Sequence, residues 1–97
     1  MQDLIEQFRK ELLAIHTFKA DTVQNYISLL YRYVDYAHEH LSIDPLKSTA
    51  RDLRDFMDAQ RKDYSHSRLI HIRSALIHFF AFLVRTGIIP AFSGIVF

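Results

Sequence analysis

The sequence predicts an all-α fold, a compact orthogonal four-helix bundle made of two helical hairpins and followed by a short C-terminal tail. Three observations carry this expectation. Apolar residues recur at three- and four-residue steps in four successive segments, the period of an amphipathic helix. The 97 residues include only two Gly and two Pro, with 49% hydrophobic and 24% charged side chains, a composition remote from disorder or low complexity. The joints between segments are short, so consecutive helices must pack as neighbours. A chain of this length has room for one domain, read as residues 1–97. It shows no alternating strand pattern, internal repeat or Gly-rich phosphate loop, which excludes the α/β nucleotide-binding architectures. With no Cys, neither a disulfide framework nor a Cys-based zinc site can form.

The first helix is expected over residues 2–16, where Leu4, Ile5, Phe8, Leu12 and Ile15 make the apolar stripe and Glu6, Arg9, Lys10 and Glu11 the polar side. Asp21 is the expected N-cap of a second helix, residues 21–40, which buries Val23, Tyr26, Ile27, Leu30, Val34 and Ala37. Residues 41–47, with Pro45, form the break. Ser48 or Thr49 caps a third helix, residues 49–62, on a thin stripe of Leu53, Phe56 and Met57. Its charges stand four apart as Arg51 with Asp55, Arg54 with Asp58 and Asp58 with Lys62, the pattern of a solvated, self-paired face. Ser65 or Ser67 caps the fourth helix, residues 66–86, and Gly87 suits a left-handed C-terminal cap. Residues 88–97 are apolar and acid-free. They read as a tail that packs on the bundle or as the linker to a further domain.

The N-terminal residues mix charges with apolar side chains, unlike a signal peptide. The most apolar run, residues 74–84, is interrupted by His78 and shorter than the ~20 residues that cross a bilayer. The expectation is a cytoplasmic protein without a membrane partner.

The net charge of +1 is too small to announce a nucleic-acid binder, but it hides a gradient. Residues 1–48 carry five basic and seven acidic side chains, whereas residues 49–97 carry seven and four. No acidic side chain follows Asp63, while Arg68, Arg73, Arg85, His66, His71 and His78 do. Projected at 100° per residue, Ser67, His71, Ser74, His78 and Arg85 fall within about 60° of one another, opposite the core stripe and flanked by Arg68. Such a stripe offers donors and no acid, which suits a helix laid against phosphates. A merely solvated face ordinarily mixes signs, as the third helix does. The second helix adds Asn25, Ser28 and Arg32, with Thr22 beside them and Lys19 before them, and its polar face turns acidic at Asp35 and Glu39.

These residues resemble a known family pattern. Phe18-Lys19-Ala20-Asp21-Thr22-Val23-Gln24-Asn25-Tyr26, followed by Leu30 and Val34, is similar to the S-x-x-T-x-x-x-Y-x-x-x-L opening of the N-terminal core-binding domain of tyrosine recombinases, the phage integrase and Xer-type enzymes. Ser48-Thr49-Ala50-Arg51-Asp52-Leu53-Arg54-Asp55-Phe56 resembles that family's third helix. Ser74 to Leu83, then Gly87 and Pro90, resembles its L-S-A-L-R-x-F-F-x-F-L close. The resemblance implies a SAM-like bundle forming half of a clamp on duplex DNA, with the second and fourth helices over the major groove. Members often carry basic side chains where this chain has His71 and His78, and Ile27 stands where a basic residue is common. Imidazole attracts phosphate only when protonated, near pH 6.5 for an ordinary histidine. The resemblance further implies that the catalytic residues lie in a separate C-terminal domain, and that this domain and neighbouring recombinase protomers are partners alongside DNA.

No catalytic residue is assigned to this chain, since Tyr26, Tyr31, Tyr33, Tyr36 and Tyr64 have no general base or phosphate clamp identifiable beside them. Six His do not make a metal site: His38 and His40 face different ways, and His71 and His78 are about 10 Å apart along the helix. No cofactor or small-molecule ligand is expected. The candidate DNA-binding residues are Lys19, Thr22, Asn25, Ser28, Arg32, Ser67, Arg68, His71, Arg73, Ser74, His78 and Arg85. Among them, Arg73 borders the core stripe and can lie along it with its stem buried. The rival reading is a SAM-like protein-interaction module without DNA, because Leu13, Leu29, Tyr36, Ile70, Ile77 and Phe82 lie outside the best core sectors.

Overall fold

The computed structural model describes residues 1–15 and 18–90. Four α-helices follow one another, α1 (Gln2–Ala14), α2 (Ala20–Tyr36), α3 (Ala50–Gln60) and α4 (His66–Arg85), with a π turn at Ala37–Leu41 and a 3-10 turn at Pro45–Lys47 between α2 and α3. No strand occurs among the described residues. The all-α four-helix expectation holds, and the boundaries show what local chemistry decided. Thr49 caps α3 through a reciprocal box, its hydroxyl accepting from the Asp52 amide while the Asp52 carboxylate accepts from the Thr49 amide. Ser65 caps α4 by accepting from the Arg68 amide at 3.2 Å. Gly87 has φ +77°, and its amide bonds the Val84 carbonyl while the Ile88 amide bonds that of Leu83. That paired closure is the glycine-terminated helix end in which only a residue without a Cβ sits unstrained.

Four boundary expectations need correction. Asp21 is not the cap of α2: Lys19 occupies that position with no side-chain bond, and Asp21 lies in the first turn, where its charge favours the helix dipole. The run after Tyr36 continues to Leu41 as a widened π turn and closes at Ser42 in the left-handed region (φ 54°). α3 is shorter than expected, because the amides of Asp63 and Tyr64 both turn back onto the Gln60 carbonyl. α1 ends at Ala14; the expected last residue of that helix, His16, and most of the 88–97 tail lie outside the described residues. The four-apart ion pairs anticipated on α3 do not close among the described residues; Asp58 instead meets Arg61 at 3.3 Å with both side chains well exposed, a contact of little energetic weight.

α2 and α4 make the most extensive helix contact, with α1 packed on both and α3 on α4. The core follows from this arrangement. Phe8 of α1 enters between Phe79 and Phe82, with ring centroids 5.4 Å from each. At the other end Phe56 of α3 packs edge-on against Tyr33, 5.1 Å away. Leu53, Ile72, Ala75 and Leu83 are fully buried between them. Leu29 and Phe82, expected outside the core, are 2% and 5% exposed. The two central helices each touch more than one neighbour, so their buried arcs exceed the single sector that an amphipathic projection assigns. Leu13 and Ile70 do remain on the surface. At 20 residues and mean hydropathy 1.3, α4 is long and apolar enough to cross a bilayer by length and composition, which the 74–84 run alone suggested it was not. Seven of its residues are buried against the other helices, so that apolarity is the mark of a central core helix.

The α2–α3 connection is fastened from inside. Ser48, the one buried polar residue among those described, donates from Oγ to the Pro45 carbonyl at 2.7 Å. Its single proton thus committed, it accepts from the Tyr33 hydroxyl. Burial pushes the Tyr33 phenol up to about 12, against an ordinary value of 10.0. A folded-state value above the unfolded one means that this group's contribution is fully present below pH 10 and is lost as pH rises through 12. Chemical denaturation of wild type and Tyr33→Phe at pH 8 and 11.5 should show the wild type losing more stability across that interval than the variant, by about 1–2 kcal/mol.

Candidate nucleic-acid interface

Short caps and joints set α2 and α4 against each other, and the first half of α2 meets α4 at two places along its length. Arg68 Nη1, at the start of α4, donates to Asn25 Oδ1 on α2 at 2.9 Å. Tyr26 of α2 stacks with His78 of α4, centroids 6.0 Å apart and planes 24° apart. Phe18 meets the same imidazole edge-on at 5.8 Å. Asn25 and Tyr26, neighbours on α2, therefore reach two points ten residues apart on α4, one through a charged hydrogen bond and one through an aromatic cluster. Between them Ser67, His71 and His78 are exposed and Ser74 is half-buried. On α2, Ser28 and Arg32 are exposed and Thr22 and Asn25 half-buried, while Lys19 is exposed at the cap.

Hydrogen bonding restricts what several of these groups offer. Asn25 Oδ1 is engaged by Arg68, which leaves its amide N–H groups as the donors it has to offer. The Ser28 hydroxyl donates to the Gln24 carbonyl at 3.1 Å and keeps its acceptor lone pairs. Electrostatically the face is basic without being uniformly so. Asp21 lies on the same side of α2 as Asn25 and Arg32 by helical geometry, and Arg32 shares a surface depression with Asp35, Glu39 and Asp63. The α4 side carries no acid.

Two expected members stand apart. Arg73 lines the grooves between α3 and α4 with Met57 and Arg61, about 120° round α4 from the Ser67–His71–Ser74 stripe. Arg85 lies on the stripe by projection, but its Nη2 holds Glu11 of α1 at 2.5 Å, and this hydrogen-bonded pairing raises the guanidinium above its ordinary value. Glu11 thus already supplies the negative charge that a phosphate would. The structure also brings in residues the sequence reading passed over. Phe18 and Tyr26 hold the His78 ring, and Tyr64, from the α3–α4 turn, lies under two guanidiniums: Arg32 Cζ is 5.0 Å and Arg68 Cζ 5.5 Å from its ring centroid. Only the interruption of the α3 pattern just before Tyr64 hinted at that placement.

Fold and surface together define a small all-α domain of the SAM-like type with a basic polar face across its two central helices. The chain belongs to the phage integrase N-terminal SAM-like domain family, whose family model matches residues 5–87, and this is the N-terminal domain of tyrosine recombinases. The match is to that domain and not to the catalytic one. No match to a curated protein or to a solved structure was found.

Proposed function

We propose that this domain binds duplex DNA as one half of a recombinase clamp during DNA integration or recombination, with α2 and α4 against the major groove. The observation that carries the reading is the Arg68–Asn25 hydrogen bond, which makes one continuous polar face of two helices distant in sequence, one of them free of acids. Lys19, Arg32, Arg68 and His71 supply phosphate contacts. Asn25, Ser28, Ser67, Ser74 and His78 are the groups that reach base edges, because only side chains on a groove-facing stripe can do so. Thr22 supports the α2 end. Arg85 contributes only if it leaves Glu11, and Arg73 contributes least, since it faces the α3–α4 groove. The partners in this reading are duplex DNA, the catalytic domain of the same recombinase and neighbouring protomers, in the prokaryotic cytoplasm.

Salt separates this from the alternative of a protein-docking module, which the exposure of Leu13, Ile15, Ile70 and Ile88 (44–52%) favours. Four to six phosphate contacts give a log–log slope of affinity against salt near −4 to −5. Fluorescence anisotropy with a labelled duplex between 50 and 200 mM salt should return that slope. Absence of salt-dependent binding would leave the docking module as the better account.

A further inference from the structure

We propose that Tyr64 is the positioning residue of the candidate interface, its ring acting as a platform that holds Arg32 of α2 and Arg68 of α4 as a matched pair for successive phosphates. The proposal rests on the duplex-binding reading above and goes beyond it, because Tyr64 lies outside both helices and every motif that led to that reading.

The geometry has three parts. First, the platform is fixed. The Tyr64 amide bonds the Gln60 carbonyl at 3.1 Å, the next residue is the Ser65 cap of α4, and the ring is half-buried against the core cluster. Second, both guanidiniums lie within cation–π range of the ring, at 5.0 and 5.5 Å. Arg68 is further tethered to Asn25, so Asn25, Arg68, Tyr64 and Arg32 form a chain from α2 through α4 and the turn back to α2. Third, Arg32 has competitors. Asp35, Glu39 and Asp63 line the same depression, and without an aromatic face to lie on, the Arg32 head is free to turn to them and be neutralised. The ring therefore keeps one guanidinium away from nearby carboxylates and beside a second, two positive charges that repel each other in water and that a polyanion would draw together. The N–H fork of a guanidinium is the edge that bonds phosphate, and a cation–π contact to its face leaves that fork uncommitted.

Tyr64→Leu removes the platform and Tyr64→Phe retains it. At 0.1 M salt Tyr64→Leu should bind a labelled duplex about tenfold more weakly, with a salt slope less negative by about one to two, while Tyr64→Phe should match the wild type. In the DNA-free wild type, ring-current shifts of the Arg32 and Arg68 side-chain protons by NMR should be present; this measurement stands even if Tyr64→Leu fails to fold. Their absence overturns the proposal, as does a folded Tyr64→Leu with wild-type slope. A wild-type chain that shows no salt-dependent duplex binding overturns the DNA reading and this proposal together, whereas the preceding two results leave the DNA reading intact.

Discussion

The Arg68→Ala, His71→Ala, His78→Ala variant should bind duplex DNA about 10- to 100-fold more weakly than wild type near 0.1 M salt. Arg68 is a permanent charge, and its loss alone should shift the salt slope by about one. The two imidazoles add ring N–H donors to the same stripe. The groups packed on His78 are the rings of Phe18 and Tyr26. Anisotropy titrations with a labelled duplex test this, and a variant that keeps wild-type affinity would remove these three residues from the interface.

Phe8→Ala should remove about 3–5 kcal/mol of folding stability, a large part of the roughly 5–15 kcal/mol that holds a domain of this kind together. Phe8 is 1% exposed, and its ring meets those of both Phe79 and Phe82. Truncation leaves a cavity that three helices line, and they cannot all close on it. Urea denaturation should show the midpoint falling sharply with little change in slope. Leu13→Ala on the same helix, whose side chain is 44% exposed, should shift the midpoint only slightly.

What was legible in the sequence was local. The caps of α3 and α4 and the Gly87 terminus each depend on residues within three or four positions of one another; each cap fell on one of the two residues offered for it, Thr49 rather than Ser48 and Ser65 rather than Ser67. The stripe from Ser67 to His78 formed as projected, because helical periodicity alone sets it. The family resemblance rested on the same local order of motifs. Leu29 and Phe82 were misplaced because burial on a central helix depends on how many neighbours touch it, which no single-helix projection contains.

The site was legible in outline and not in its connections. Arg68 and Asn25 are 43 positions apart and Arg85 and Glu11 are 74 apart, so whether a given charge is available or already engaged was decided by packing. Arg73 shows the same limit within one helix. It was a candidate phosphate contact although it borders the core stripe by projection, and the packing of α3 on α4 places it beside Met57 and Arg61. For Tyr64 the break in the α3 pattern hinted at a turn and at nothing more, since its placement depends on that turn bringing one ring beside side chains from two helices.

The placement of α4 at the centre of the bundle also bears on how the chain comes to be folded during synthesis. The rings that close the core on Phe8 are Phe79 and Phe82, and those nearest Tyr33 include Phe80. All three lie near the end of the last helix. A ribosome extends the chain at roughly 5–20 residues per second, so α1, α2 and α3 exist for seconds with their apolar faces unmatched. Isolated helices of such length are marginal in water. Cooperative folding then waits for the segment that follows His78 to leave the exit tunnel, and until it does, the first sixty residues are the stretch most in need of protection from aggregation.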